Sequence, residues 1–384
     1  MYYTRLGNIP PKRHITFYKE DKTLFREQLM GQQGFFGPQS LLYKHHIPSA
    51  GKGFEKIPTD ATISQLASTV HDSFHSHFET TNLESSNEIA FQRLPLLKNQ
   101  FLQISVSTNT FDQLFRNGSH HELHYIDSGE GLLKSEFGVL PFKEGDYLVI
   151  PRGVVYQWEI KGQHKILTIQ ATTPFTFPKS YQNDSGQFLE HSPICERDIH
   201  PPSYLEPIVE AGEFLVTTHQ EGQYFSQHLD HHPFDTVGWD GHLYPFTINI
   251  YDFEPVVGRI HLPPYVHQMF HNQHFVVCNF VPRPYDFHEL AIPAPYFHHN
   301  TESDEILYYS RGNFMSRRGI SEGSISFHPA SAPHGPQPGK TEDSIGKKET
   351  DELAVMIDTF ETIYPTNYAK QISDTNYQQS WLKK

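Results

Sequence analysis

The sequence predicts a mainly β protein, with two β-sandwich or barrel domains, an N-terminal arm and little helix. Three observations carry this. Aromatic residues are abundant, with 29 Phe and 20 Tyr, and such side chains fit a pleated, half-buried surface. Turn formers are frequent, with 28 Pro and 25 Gly. From residue 100 onward short apolar runs follow one another with Gly-rich or charged turns between them, the pattern of a sandwich or barrel.

Residues 1–50 mix turn signals with short apolar pieces, and Pro10-Pro11 blocks a helix there. They read as an arm that packs across another surface. Residues 54–95 have the polar composition of loops and edge strands, with the best helical candidate at residues 61–71. FLQISVS alternates as a half-buried strand should, and ELHYIDS, LLKSEFG, DYLVIP, YQWEI and HKILTIQAT follow. A polar, Pro-containing connection covers roughly residues 175–240. Strands resume with PFTINIYDF, HFVVCNFVP, EILYYSRG, FMSRRG, GSISFHP and ELAVMIDTF, and the last twenty residues read as a polar tail.

Two stretches follow one script. The first runs Glu122-x6-Gly129, then Gly145-x5-Pro151-x4-Tyr156; the second runs Glu305-x6-Gly312, then Gly323-x5-Pro329-x4-His334. Such self-similarity points to one supersecondary unit used twice. It divides the chain into residues 1–230, with the arm and first copy, and residues 231–384, with the second. Only the second copy ends on His, and only it has His298 and His299 upstream. Two imidazoles and a carboxylate are the ligand set of a mononuclear non-haem iron(II) site, although manganese and zinc accept the same donors. Adjacent strand residues point to opposite faces, so one of His298 and His299 binds, and Asp304 competes with Glu305 in the same way. Tyr156 supplies no imidazole nitrogen, so the first copy is expected to be a metal-free structural barrel. The clusters His71/His75/His77, His120/His121/His124 and His228/His231/His232 lack the carboxylate frame and are expected to be solvated or locally hydrogen-bonded.

At these residues the chain resembles the homogentisate 1,2-dioxygenase family and, more broadly, a bicupin. YTRLGNIPPKRHI, PYFHHN, the SRG turn and PHGP carry the resemblance. It implies two cupin-like jelly rolls, Fe(II), a small aromatic substrate and O2, a homo-oligomer, and tyrosine and phenylalanine breakdown in the cytoplasm. Carried over by motif, His298, Glu305 and His334 are the implied metal ligands, and Tyr296 and His328 the implied substrate contacts. The intervening turn is one residue longer than in the animal enzymes, and the Glu-x6-Gly frame selects Glu305 over Asp304. A second family Tyr falls on Phe314. The implied acid/base is His261, with His267 as the alternative. The implied reaction opens the ring of homogentisate to maleylacetoacetate; gentisate or another hydroquinone as substrate, and a non-enzymatic metal-binding cupin, are the competing readings.

Composition excludes other classes. The net charge of −14, with 30 Lys and Arg against 44 Asp and Glu, argues against nucleic acid, whose binding needs clustered cations. No stretch approaches the ~20 apolar residues of a spanning helix, and the N-terminus has no apolar signal region. Two cysteines, Cys195 and Cys278, make no disulfide framework, which suits a reducing cytoplasm.

Overall fold

A computed structural model describes residues 2–58, 60–71, 74–83, 94–109, 112–262 and 264–382. The chain is mainly β, as expected. Its contacts divide into two compact units that interleave along the sequence: residues 1–60, 107–166 and 199–248, and residues 61–106, 167–198 and 249–384. A single cut after residue 230 separates the two motif copies but not these units. The chain crosses between them several times, because strands far apart in sequence complete each sheet.

In the first unit the expected arm is part of a sheet. Thr4–Gly7, Thr236–Gly241, Phe36–Lys44 and Arg26–Gln33 pair in that order, antiparallel throughout. The first motif copy lies on His121–Ser135 and Asp146–Ile150, which pair with Glu122 opposite Ile150. The polar connection also contributes strands. Ala211–Gln220 and Gln223–His231 form a hairpin, built around the Glu221-Gly222 turn, where both residues have positive φ.

The second unit holds a six-stranded antiparallel sheet in the order Gln268–His271, Phe275–Phe280, Leu353–Thr359, Asp304–Arg311, Ile325–His328 and Ser76–Phe78. Strand periodicity sorts its side chains. Ile306, Tyr308, Val355 and Ile357 are fully buried in the core. Glu305, Leu307, Tyr309, Ala354, Met356 and Asp358, their alternates, line a cavity of about 500 Å³.

Three local expectations change. The helix covers Ala61–Leu66 only. FMSRRG is a turn segment, closed by a hydrogen bond from Arg317 N to Phe314 O (3.0 Å). The polar tail is ordered: Thr366 caps a short helix at Asn367–Gln371 through Ala369 N, and a 3-10 turn at Tyr377–Trp381 buries Tyr377. Its aromatic residues supply the apolar area that average polarity conceals.

Candidate metal centre

Glu305 is the second residue of its strand and points into the cavity. Its neighbour Asp304 points the other way, where its carboxylate accepts from Ala330 N (2.6 Å) and Ile363 N (2.8 Å). His298 and His334 come from segments flanking this strand and its partner, and pair with each other as an isolated β-bridge. Gly335 permits the approach: a Cβ there would meet Phe297 Cδ1 at 2.7 Å and its Cα at 2.9 Å.

The three side chains converge. His298 Nε2 lies 3.5 Å from Glu305 Oε2, and His334 Nε2 3.4 Å from Oε1. One ligand atom from each residue lies within 4.8 Å of the other two. His334 Nδ1 is 2.9 Å from Ala332 O, and His298 Nδ1 3.3 Å from Tyr296 O. Each Nδ1–H donates to a carbonyl, which leaves the Nε2 lone pair facing Glu305, the arrangement that orients metal-binding imidazoles. His334 Nε2 is buried and has no hydrogen-bond partner. A buried, unsatisfied acceptor beside a carboxylate and a second imidazole fits a cation well. His299 is exposed and outside this group.

Burial opposes the charge on Glu305, but the imidazoles of His298, His328 and His334 hold its carboxyl well below the usual range. The same contact with Glu305 raises His298. His328 is fully buried, with Nδ1 2.8 Å from Glu305 Oε1 and Nε2 3.1 Å from the Tyr377 hydroxyl. Both its ring nitrogens are therefore engaged within the protein, so the substrate contact implied by the resemblance is replaced here by contacts with Glu305 and Tyr377. Burial depresses it to about 3, so it is neutral.

The other sequence candidates separate by environment. His261 and Tyr296 both line the cavity. His261 Nδ1 is 3.0 Å from Asp286 Oδ2, and its side chain is half exposed. The Tyr296 ring lies between those of His261 (5.3 Å) and His298 (6.2 Å). His267 also lines the cavity, buried against Phe280, and burial lowers it to about 3. Phe314 packs on Tyr309 at 4.7 Å, whose hydroxyl meets Ser326 Oγ at 2.8 Å.

Two family models cover most of the chain: "Homogentisate 1,2-dioxygenase N-terminal" matches residues 100–252 and "Homogentisate 1,2-dioxygenase C-terminal" residues 249–384. The chain belongs to the homogentisate 1,2-dioxygenase family. A protein of Saccharolobus solfataricus, provisionally named a dioxygenase, is 39% identical over 386 residues, covering 99% of both chains. The homogentisate 1,2-dioxygenase of Nitrobacter hamburgensis is 27% identical over 289 residues, which are 69% of this chain but 61% of that enzyme. Among solved structures, a cupin 2 conserved barrel domain protein from Leptotrichia buccalis aligns over 77% of this chain and all of its own, at 11% identity and a TM-score of 0.36. That likeness is loose.

The first copy of this dioxygenase-family chain is built differently. The Tyr156 hydroxyl donates to Glu122 Oε2 at 2.7 Å, with both residues fully buried. The carboxylate that faces three imidazoles in the second copy here accepts from a phenol.

Of the histidines expected to be solvated or locally hydrogen-bonded, His77, His120, His121, His124 and His231 are buried, and His75 is half-buried. His77 donates to or accepts from Ser324 Oγ at 2.8 Å, and the His75 ring lies 5.3 Å from His328 and 6.0 Å from His334. Burial lowers His120 and His121 to about 4. His46, His231 and Asp235 form a second group of two imidazoles and a carboxylate. There Asp235 is already satisfied by His46 N (2.8 Å), His46 Nδ1 (2.9 Å) and Lys44 Nζ (3.3 Å). Tyr377 and Trp381 escape sequence reasoning altogether, and sequence places His75 only in a cluster expected to be solvated or locally hydrogen-bonded. No local signal marks them; they reach the His328 side of the centre only through long-range packing.

Proposed function

We propose that the protein is an Fe(II)-dependent ring-cleaving dioxygenase that converts homogentisate and O2 to maleylacetoacetate, with both oxygen atoms entering the product. The observation that carries the reading is the convergence of His298, Glu305 and His334, with both Nε2 atoms turned toward the carboxylate, beside a cavity of about 500 Å³ that His298 and Glu305 line. These three residues would hold the iron. When bound, iron(II) supplies the one-electron chemistry that lets an aromatic ring react with dioxygen.

The chain's own residues do the rest. His261, oriented by Asp286 through Nδ1, accepts the phenol proton at Nε2. Tyr296 contacts the substrate from the wall between His261 and His298. His328 acts through Glu305, holding its carboxylate in place. Phe280, Leu307, Phe314 and Met315 shield the reacting ring from water.

One observation favours a second substrate. Phe314 occupies the position of a family Tyr, so a substrate hydrogen bond expected from the resemblance is absent. This supports gentisate or another hydroquinone as the alternative.

The free thiols Cys195 and Cys278 support a reducing cytoplasm as the compartment, and the family resemblance supports a homo-oligomer. Among the described residues, no helix is long and apolar enough to cross a membrane.

Oxygen uptake with homogentisate and added ferrous ion tests the reading, with gentisate in parallel and His334→Ala as control. Uptake by the parent with homogentisate, lost in the variant while the far-ultraviolet spectrum is unchanged, is the expected result. No uptake with any hydroquinone would sink it.

A further inference from the structure

We infer that Arg317 anchors the anionic side chain of the substrate, so that the cavity selects an aromatic ring bearing a carboxylate over its neutral counterpart. The identity of the ring rests on the functional reading above; the anion site rests on the cavity itself.

Arg317 follows the Asp304–Arg311 strand in the turn that its own N–H closes onto Phe314. It lines the same cavity as Glu305 and His298, yet it is only 8% exposed. Its guanidinium donates to the Gly335 carbonyl and to the Tyr309 hydroxyl, feels the Glu305 charge at longer range, and lies over the Trp381 ring, 5.7 Å from the centroid. Its Nε–H is buried and has no partner.

The contrast with its neighbours is informative. Arg259 is paired with Glu289, Arg283 with Glu352 and Arg318 with Asp343. Among the described residues, no carboxylate lies within ion-pairing distance of Arg317. Glu305, the acid at the centre, is turned toward His298, His328 and His334. Of the other acids on the wall, Glu352 is taken by Arg283, and Asp358 sits across the strand from Glu305.

A guanidinium cannot relieve burial by losing its proton. A buried charge with only neutral groups in direct contact is costly, so such groups are ordinarily paired with an opposite charge. Here the missing partner is an anion that enters the cavity. The adjoining walls, Leu307, Tyr309, Phe314 and Met315, suit a flat ring. The planar guanidinium fork suits a carboxylate better than any neutral group. A purely structural Arg317, tying Gly335 to Trp381, would show no preference between an acid and its amide.

Equilibrium titration with phenylacetate and the near-isosteric phenylacetamide separates these roles, followed by tryptophan fluorescence because Trp381 lies against the guanidinium. The full-length protein is used, under nitrogen, with and without ferrous ion, so no turnover is needed. The wild type is expected to prefer the acid by roughly 10- to 100-fold, the worth of a hydrogen bond to a charged group. Arg317→Met should bring acid and amide within about threefold, and Arg317→Lys, which keeps the charge but loses the fork, should fall between. A wild type that binds both alike overturns the anchor, as does a Met variant that keeps the preference. If Arg317→Met does not fold, the wild-type ratio and the Lys variant decide, and Arg317→Lys with an unchanged ratio and affinity overturns the paired-donor anchor. Arg317-dependent phenylacetate binding without oxygen uptake on any hydroquinone leaves the anchor standing and removes the dioxygenase reading.

Discussion

His298 N donates to His334 O and His334 N donates to His298 O, each at 2.9 Å. Thirty-six positions apart in sequence, the two imidazoles are held side by side by their own backbones, with ring centroids 4.4 Å apart. The donor atoms are therefore arranged by the fold itself. A cation that binds them meets a preorganised pair, with little side-chain entropy left to lose.

Glu305→Gln keeps the shape of the site and removes its charge. Ferrous or zinc ion at a hundredfold excess over its Kd should stabilise the wild type by about 2.7 kcal/mol. That gain should vanish in the variant. Thermal unfolding with and without metal checks this, and an equal shift in both proteins would remove Glu305 from the centre.

Asp304→Asn should behave in the opposite way. The carboxylate accepts from Ala330 N and Ile363 N, and an amide has only one oxygen to offer two donors. A loss of roughly 1–3 kcal/mol in denaturant unfolding is expected, with metal affinity kept. A variant of unchanged stability that binds no metal would reverse the roles of the two acids.

Gly335→Ala places a methyl against the Phe297 backbone. The segment must shift, and His334 with it. Metal affinity should fall by about 10- to 100-fold, the usual effect of disturbing the groups that orient a ligand. Calorimetric titration measures it; an unchanged affinity would mean that the loop yields elsewhere.

Acid should destabilise the first unit through His120 and His121. Burial lowers both from 6.5 to about 4. Between those values the unfolded chain binds more protons than the folded one, so stability is complete above pH 6.5 and declines as pH falls toward 4. Each imidazole accounts for up to roughly 3 kcal/mol. His121→Gln should flatten the pH dependence of the unfolding midpoint over this window, and an unaltered slope would assign the acid sensitivity to other groups.

Much of this was legible in the residues. A short apolar run between polar ends marks the Asp304–Arg311 strand, and period two by itself puts Glu305 and Asp304 on opposite faces. The Glu-x6-Gly frame then singles out Glu305, because Gly312 holds φ +91° where the strand ends and the Asp351 carbonyl leaves no room for a Cβ. PYFHHN and PHGP name the imidazoles.

Other features were decided only by tertiary structure. His75, Tyr377 and Trp381 reach the His328 side of the centre from positions far away in sequence, and no local pattern encodes that meeting. FMSRRG reads as a strand, yet Arg317 sits in a turn that buries its guanidinium. His267 and His261 are alike as residues; one is buried against Phe280, and the other is half exposed beside Asp286. Local covalent geometry sets which face a side chain takes, so sequence reveals it. Solvation and charge depend on whatever the rest of the chain packs around that face, and only the assembled fold determines them.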